Sequence, residues 1–248
     1  MAENGRVGYR DIADELRQRI DSGELAPGSR VPGENELITR FGVAQATARR
    51  ALDELKNEGL IVARRGAGTF VREFKPIRRT SPDRLRNWSS GLSIWKADVG
   101  TRQRTENITV DVETPPDPIA KALDLDDGAR VVVRRRRYLV DGKPVQLATS
   151  FYPLALVAGS AITEINTGAG GTYARLTELG HEPTRFLEEL RTRMPRESER
   201  DALELAQGTP VILIARTAFT SDNRPVEVNE MTLDSAAYVV AYNFTSSG

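Results

Sequence analysis

Gln45, Thr47, Arg49 and Arg50 stand close together on a stretch whose apolar residues Ala48, Ala51, Leu52 and Leu55 recur at helical spacing. An amide, a hydroxyl and two guanidiniums can bond base edges and phosphates, and the first turns of a helix are what reaches bases in a major groove. A few residues later, Arg64-Arg65-Gly66-Ala67-Gly68 sets two cations among glycines, which lets the backbone press against a sugar-phosphate chain. From Arg40 to Arg72 there are seven Arg/Lys and three acids, while the whole chain carries 35 of each sign. The positive field is therefore local. Any one of these arginines read alone is a solvated surface residue; together with the spacing around them they point to duplex DNA. Gly66, Gly68 and the more distant Arg30 join the candidate DNA contacts, Arg30 as either a phosphate contact or an exposed arginine.

The elements that must position these side chains are legible nearby. Leu37, Ile38 and Phe41 mark a short amphipathic helix after Pro32-Gly33, and Gly42 ends it. A second helix spans residues 45–58. Residues 60–63 and 69–71 read as two short strands flanking the arginine-glycine turn. Helix, turn, helix and hairpin in this order predict a winged helix-turn-helix. Ile12, Ala13, Leu16 and Ile20 place a supporting helix over residues 9–22, ended at Gly23.

The 248 residues suffice for two cores, and 39% hydrophobic with 28% charged residues is the balance of a soluble globular protein. No apolar run of membrane-spanning length occurs, and residues 1–4 carry no signal-sequence pattern, so the expected location is the cytoplasm. Cysteine is absent and His181 is the single histidine, which excludes disulfides, thiolate chemistry and a multi-histidine metal site within one chain. No metal or cofactor is expected. His181, just past Gly180, reads as a surface or helix-end residue.

Residues 73–83 lack periodicity and contain Lys75-Pro76, Arg78-Arg79 and Ser81-Pro82, so they read as a linker between domains at 1–72 and 84–248. Residues 84–100, with Trp88, Ser93 and Trp95, are too aromatic for a linker and are expected to dock on the second domain. Beyond them the period turns toward two. Strands are predicted at 105–112, 130–140, 144–152, 186–194, 210–220 and 224–233, with 236–244 closing the chain. Asp141-Gly142-Lys143 and Ser221-Asp222-Asn223 are hairpin turns. Helices are predicted at 117–125, 153–158, 172–179 and 197–205. This is an α+β pattern with an antiparallel sheet.

On the strand 130–140, Arg135 and Arg137 share a face with Val131, Val133 and Leu139. If that face meets the core, the two arginines need carboxylates, with Glu227 as a candidate, or an anionic or polyhydroxylated ligand, because an unpaired buried charge costs several kcal/mol. Thr167-Gly168-Ala169-Gly170-Gly171-Thr172 leads into a helix, and amides there favour anions; a flexible turn is the plainer reading. The glycines lack the lysine of a phosphate loop, which argues against nucleotide hydrolysis.

Residues 9–71, with Val31-Pro32-Gly33-Glu34, Thr47-Ala48-Arg49-Arg50-Ala51-Leu52, Glu58-Gly59-Leu60-Ile61 and Gly66-Ala67-Gly68-Thr69-Phe70, resemble the GntR family of bacterial transcription regulators. The resemblance implies a homodimer reading a palindromic double-stranded operator. Gly33, Asn35, Ala44 and Gln45 depart from the family's usual Pro-Ser-Glu-Arg and Val-Ser-Arg-x-Thr. Residues 84–244, with Arg135-Arg136-Arg137-Tyr138, Asp141-Gly142-Lys143-Pro144-Val145, Gly171-Thr172-Tyr173, Thr209-Pro210-Val211 and Pro225-Val226-Glu227, resemble the UTRA effector domain of its HutC subfamily, whose fold is similar to chorismate lyase. By that resemblance Ser93, Arg135, Arg137, Thr172 and Glu227 fall on ligand contacts. Ala148 and Leu233 stand where relatives that bind sugar phosphates often carry Glu and Tyr. The expected function is a ligand-modulated DNA-binding regulator, most simply a repressor. An effector-independent DNA-binding protein and a chorismate-lyase-like enzyme are the alternatives, the latter without a histidine or cysteine base or a paired-carboxylate motif to support it.

Overall fold

The computed structural model describes residues 7–73, 76–81 and 103–243; residues 84–100, including Ser93, lie outside them. The chain divides into two compact units. One takes in the described residues of 1–75 together with Leu205–Thr209, the other those of 76–204 and 210–248.

The first unit begins with α1 (Tyr9–Asp21), whose Ile12, Ala13 and Leu16 are buried. Asp11 accepts a 2.7 Å bond from the Gly8 amide and so satisfies a donor at the helix start. Helix α2 (Glu34–Phe41) ends at Gly42, whose φ of 64° is the left-handed turn the sequence called for; its amide bonds the Ile38 carbonyl at 2.9 Å. Helix α3 (Gln45–Asn57) buries Ala48, Ala51, Leu52 and Leu55. Strands β1 (Ile61–Arg64) and β2 (Gly68–Val71) form the hairpin, in register from Ile61 opposite Val71 to Arg64 opposite Gly68. Backbone bonds from Val31 to Thr69 and from Val71 to Ser29 tie the segment before α2 to β2. The core of this unit is the buried set Ile12, Leu16, Leu37, Ala48, Leu55, Ile61 and Val71.

The second unit is a six-stranded antiparallel sheet in the order β4-β5-β6-β9-β8-β7. Its strands are β4 (Gln103–Glu113), β5 (Val131–Val140), β6 (Lys143–Pro153), β7 (Arg185–Arg193), β8 (Val211–Phe219) and β9 (Pro225–Asp234). Asp141 and Gly142, at φ 51° and 77°, make the two-residue turn between β5 and β6. Helices α4 (Asp117–Ala122), α5 (Leu154–Val157), α6 (Gly171–Glu178) and α7 (Glu197–Ala202) fill the connections. Three of them are shorter than the sequence suggests. Asp124 and Glu204 take φ of 51° and 52°, which ends α4 and α7 before Leu125 and Leu205, and α5 is a single turn.

The sheet is an internal repeat. A shift of 80 residues lays Pro115, Ala122, Leu123, Leu125, Gly128, Val131 and Arg136 on Pro195, Ala202, Leu203, Leu205, Gly208, Val211 and Arg216. The left-handed Asp124 and Glu204 correspond, as do Gly128 and Gly208 at φ 80° and 72°. Beyond the hairpin turns the shift is 81, and the β6–β9 register obeys a two-fold through the Thr149–Glu230 pair: Ser150 opposite Asn229 maps onto Met231 opposite Ala148.

The linker reading of residues 73–83 is corrected by the structure. Ile77–Ser81 is strand β3, paired in parallel with β10 (Tyr238–Tyr242) from Tyr238 opposite Ile77 to Tyr242 opposite Ser81. Arg79 on β3 is 1% exposed and donates to Glu188 at 3.0 Å. The partner strand lies far along the chain and two arginines hide the apolar pattern, so no local signal marks the strand.

Helix α3 has Ala44 at its N-cap, and no side chain accepts from its first amides. Ala44 is exposed with extended backbone (φ −68°, ψ 152°), a conformation serine adopts freely. Ala44→Ser is expected to stabilise this unit by about 1 kcal/mol. An unchanged urea midpoint for the transition that melts the N-terminal helices would show that the cap contributes nothing here.

Candidate functional site

In the first unit the basic residues separate into two groups. Arg40 is bonded to Glu15, Lys56 to Asp53 at 3.0 Å, and Arg72 donates to Thr209 of the same unit at 2.7 Å. These hold structure. Arg49 and Gln45 instead rise from the first turns of α3 and meet Glu34, the first residue of α2, each at 3.1 Å. Those two contacts, Gln45 first, hold the Glu34 carboxyl below the usual carboxylate range. Glu34 thus aligns two side chains that face solvent, the role the sequence assigns to DNA contact. Arg50 lies 3.9 Å from the centre of the Tyr9 ring and Arg64 lies 4.5 Å from that of Phe70. Arg65, at the hairpin tip, is exposed and has no ion pair among the described residues. Gly66 and Gly68, at φ 72° and 112°, shape that tip. Thr47 is half-buried, its amide bonded to Ala44. Arg30 is exposed, 3.9 Å from Glu36, and bridges to Phe70 through its backbone.

In the second unit the register decides which arginines meet. One face of the sheet carries the row Arg134 (β5), Ser150 (β6), Asn229 (β9), Arg216 (β8) and Glu188 (β7), each opposite the next. Arg136 and Glu227 share this face by alternation. Arg134 is 2% exposed and is consumed by the Ile162, Glu164 and Ile165 carbonyls. Arg136 donates one nitrogen to Ser150. Glu227, 1% exposed, accepts from Tyr152 at 2.6 Å and from Tyr173 at 2.7 Å, while Arg216 approaches only to 3.9 Å. Thr172, the second residue of α6, stands by the Tyr152 hydroxyl and favours its ionised form, weakly against the effect of burial. The Arg216 guanidinium lies 5.5 Å from the centre of the Tyr173 ring and 6.0 Å from that of Phe186. Its Nε and Nη1, the Arg136 Nε and the Asn229 Oδ1 are buried without a hydrogen-bond partner among the described residues. Buried donors of this kind call for an acceptor, and arginine forks match carboxylate or phosphate.

Arg135 and Arg137 lie on the opposite face. Arg135 is bound bidentately by Glu113 at 2.7 and 2.9 Å, and Arg137 pairs with Glu204 at 2.8 Å. Neither is brought to Glu227. The face with Val131 and Val133 does enclose a core, with Ile119, Leu123, Phe151 and Val228, but that core stops short of the arginines, which meet solvent-side acids. The structure brings Thr172 and Glu227 together and adds Arg136, Arg216, Tyr152 and Tyr173, which local pattern reading missed. For the two arginines the signal was the repeat, since Arg136 and Arg216 hold equivalent positions. His181 follows Gly180 at the end of α6, its amide bonded to Leu176.

Burial, with Glu227 beside it, pushes the Tyr152 hydroxyl well above the ordinary tyrosine range. Burial also raises Tyr173, against the opposing pull of Arg216. A raised folded-state value means that the stability these hydroxyls contribute is present at neutral pH and is lost as the pH rises beyond about 10. In an alkaline absorbance titration, two of the six tyrosines are expected to ionise only as the second unit unfolds. Six tyrosines ionising together near their free value would contradict this geometry.

A family model for bacterial regulatory proteins of the GntR family matches residues 8–71, and one for the UTRA domain matches residues 98–238. The chain is 30% identical over 230 residues to the uncharacterized HTH-type transcriptional regulator SCO4628 of Streptomyces coelicolor, covering 88% of this chain and 86% of that protein. It is also 30% identical over 230 residues to the histidine utilization repressor of Pseudomonas putida, covering 91% and 87%. A crystallised chain assigned to the GntR family superposes with a TM-score of 0.65 at 26% identity over 96% of this chain and 98% of that one. PhnF from Mycobacterium smegmatis shares the fold, at a TM-score of 0.57 and 24% identity over 95% and 100%. The chain belongs to the GntR family of bacterial transcription regulators, with a UTRA domain as its second part.

Proposed function

We propose that this regulator is a homodimeric repressor that binds a palindromic operator through α3 and the β1–β2 hairpin. A small anion bound in its UTRA domain would change its operator affinity. The observation that carries the DNA reading is the sorting of the arginines. Those at 40 and 72 and the lysine at 56 are tied to partners that serve the fold, while Arg49, held at its base by Glu34, and Arg65, with no ion pair among the described residues, reach solvent from a recognition helix and a hairpin tip. Arg49 and Gln45 are the base-edge candidates, and Arg65, Arg64, Gly66, Gly68, Arg50 and Arg30 face the backbone. The effector site is proposed at Arg136, Arg216, Glu227 and Thr172, where buried donors outnumber acceptors. A ligand that prefers the conformation of lower operator affinity shifts the population toward it by that difference and nothing more. The protein works by binding alone.

Selection of duplexes from a randomised pool is expected to enrich an inverted repeat. Arg49→Ala is expected to weaken binding to the selected duplex about tenfold or more and to relax the preference at one base pair of each half-site. Arg19→Ala, at an arginine paired with Glu24 on α1, is the matched control. Equal affinities for the two variants at the same salt concentration would remove Arg49 from the reading set.

A further inference from the structure

Glu34 meets Gln45 and Arg49 with one oxygen each. Its Oε2 accepts from the Gln45 Nε2 and its Oε1 from the Arg49 Nε, both at 3.1 Å. Gln45 and Arg49 stand one turn apart on the exposed side of α3, where they share a shallow groove with Ala46, Arg50 and Asp53. An ionised carboxylate only accepts, and the two contacts favour that form of Glu34. The nitrogen of the Gln45 amide must therefore be the atom that faces it, so the amide cannot be turned end for end. The Gln45 carbonyl oxygen and second amide hydrogen have no hydrogen-bond partner among the described residues. Arg49 keeps its two terminal nitrogens, which are donors alone.

In the major groove guanine presents two acceptors side by side, whereas adenine presents an acceptor next to a donor. A fork of donors fits the first, and one acceptor beside one donor fits the second. The order of adenine's two groups across the groove reverses when A·T becomes T·A, so an amide of fixed direction also chooses the strand. A phosphate offers acceptors only and would leave the Gln45 carbonyl oxygen unanswered. Asn57, the other amide side chain of α3, lies at the far end of the helix and accepts from Gln207 at 2.7 Å. Four residues of helix rise about 6 Å, and bases follow one another at about 3.4 Å, so what Gln45 and Arg49 touch lies within two base steps.

We propose that Gln45, its amide turned by Glu34, selects an adenine on one strand of each operator half-site, within two base pairs of the base that Arg49 takes. Glu34 is then a positioning residue. It touches no base and acts by fixing which end of the amide meets the groove. This rests on the DNA-binding reading above and names what that surface reads.

The test is selection of duplexes by the full chain, followed by competition binding of wild type and variants to the selected duplex and its single-base replacements, with circular dichroism melts to confirm folding. The wild type is expected to enrich a repeat in which one adenine of each half-site is preferred roughly tenfold over other bases. Gln45→Ala is expected to lose that preference and keep the rest of the repeat. Gln45→Arg, which presents donors only, is expected to change it to guanine. The new amide of Glu34→Gln can accept or donate and so lets Gln45 turn either way. This variant is expected to bind A·T and T·A equally at that position while still rejecting G·C and C·G, a change that loosening of the fold would not confine to one base pair. A wild type that enriches no duplex would overturn the proposal and the DNA-binding reading together. An enriched repeat in which Gln45→Ala alters no base preference, weakens all the duplexes evenly, or relaxes a position that is not adenine would overturn the proposal alone. A strand preference that survives in Glu34→Gln would overturn the role of Glu34.

Discussion

Charge taken out of water is the constraint that shapes the second unit. Arg134, Arg216 and Glu227 are almost fully buried on one face of the sheet, and each such group costs several kcal/mol unless it is answered. Arg134 is answered by three carbonyls of the loop 162–165 and so fixes that loop. Glu227 is answered by two tyrosine hydroxyls, one from β6 and one from α6, which ties the helix to the sheet. Arg216 is the member left short. It touches aromatic faces and stands off from Glu227. A cationic group with unused donors, beside an acid already held by two hydroxyls, favours any anion small enough to reach it. The stability of the unit and the recognition it performs therefore draw on the same arrangement.

The first unit works the other way, by keeping charge in water. The side chains packed between its helices and hairpin form an apolar cluster, and the arginines around it differ in whether an acid restrains them. Exposed pairs such as Arg40 with Glu15 contribute little to stability, yet they decide which cations remain available to a polyanion. Glu34 sits between these roles. It holds Gln45 and Arg49 in the absence of DNA, and a duplex phosphate or base edge must compete with it. The result is a side-chain pair with limited rotamer freedom before binding, which reduces the entropy lost on recognition.

Much of this was legible in the sequence where local rules govern. Gly42 and the apolar stripe of α3 gave the helix-turn-helix because a left-handed turn and a 3.6-residue period are both local properties. The Asp141-Gly142 turn located a hairpin for the same reason. What was not legible depended on distant pairing. Strand β3 has its partner in β10, so residues 77–81 looked aperiodic. On β5, four consecutive arginines gave both faces similar polarity, and alternation alone could not say which face would meet Glu227. The register with β6 and β9 settled it for Arg134 and Arg136. Comparing the two halves of the domain with one another would have marked Arg136 and Arg216 without any structure.

The most direct test is a melting experiment on wild type and Arg216→Leu in the presence of carboxylates, phosphate esters and uncharged polyols. Binding to the folded state alone raises the melting point. The account predicts that at least one small anion stabilises the wild type, that this rise is lost in Arg216→Leu, and that polyols of similar size raise neither. Anions that stabilise both proteins equally, or a polyol that stabilises the wild type where no anion does, would contradict it.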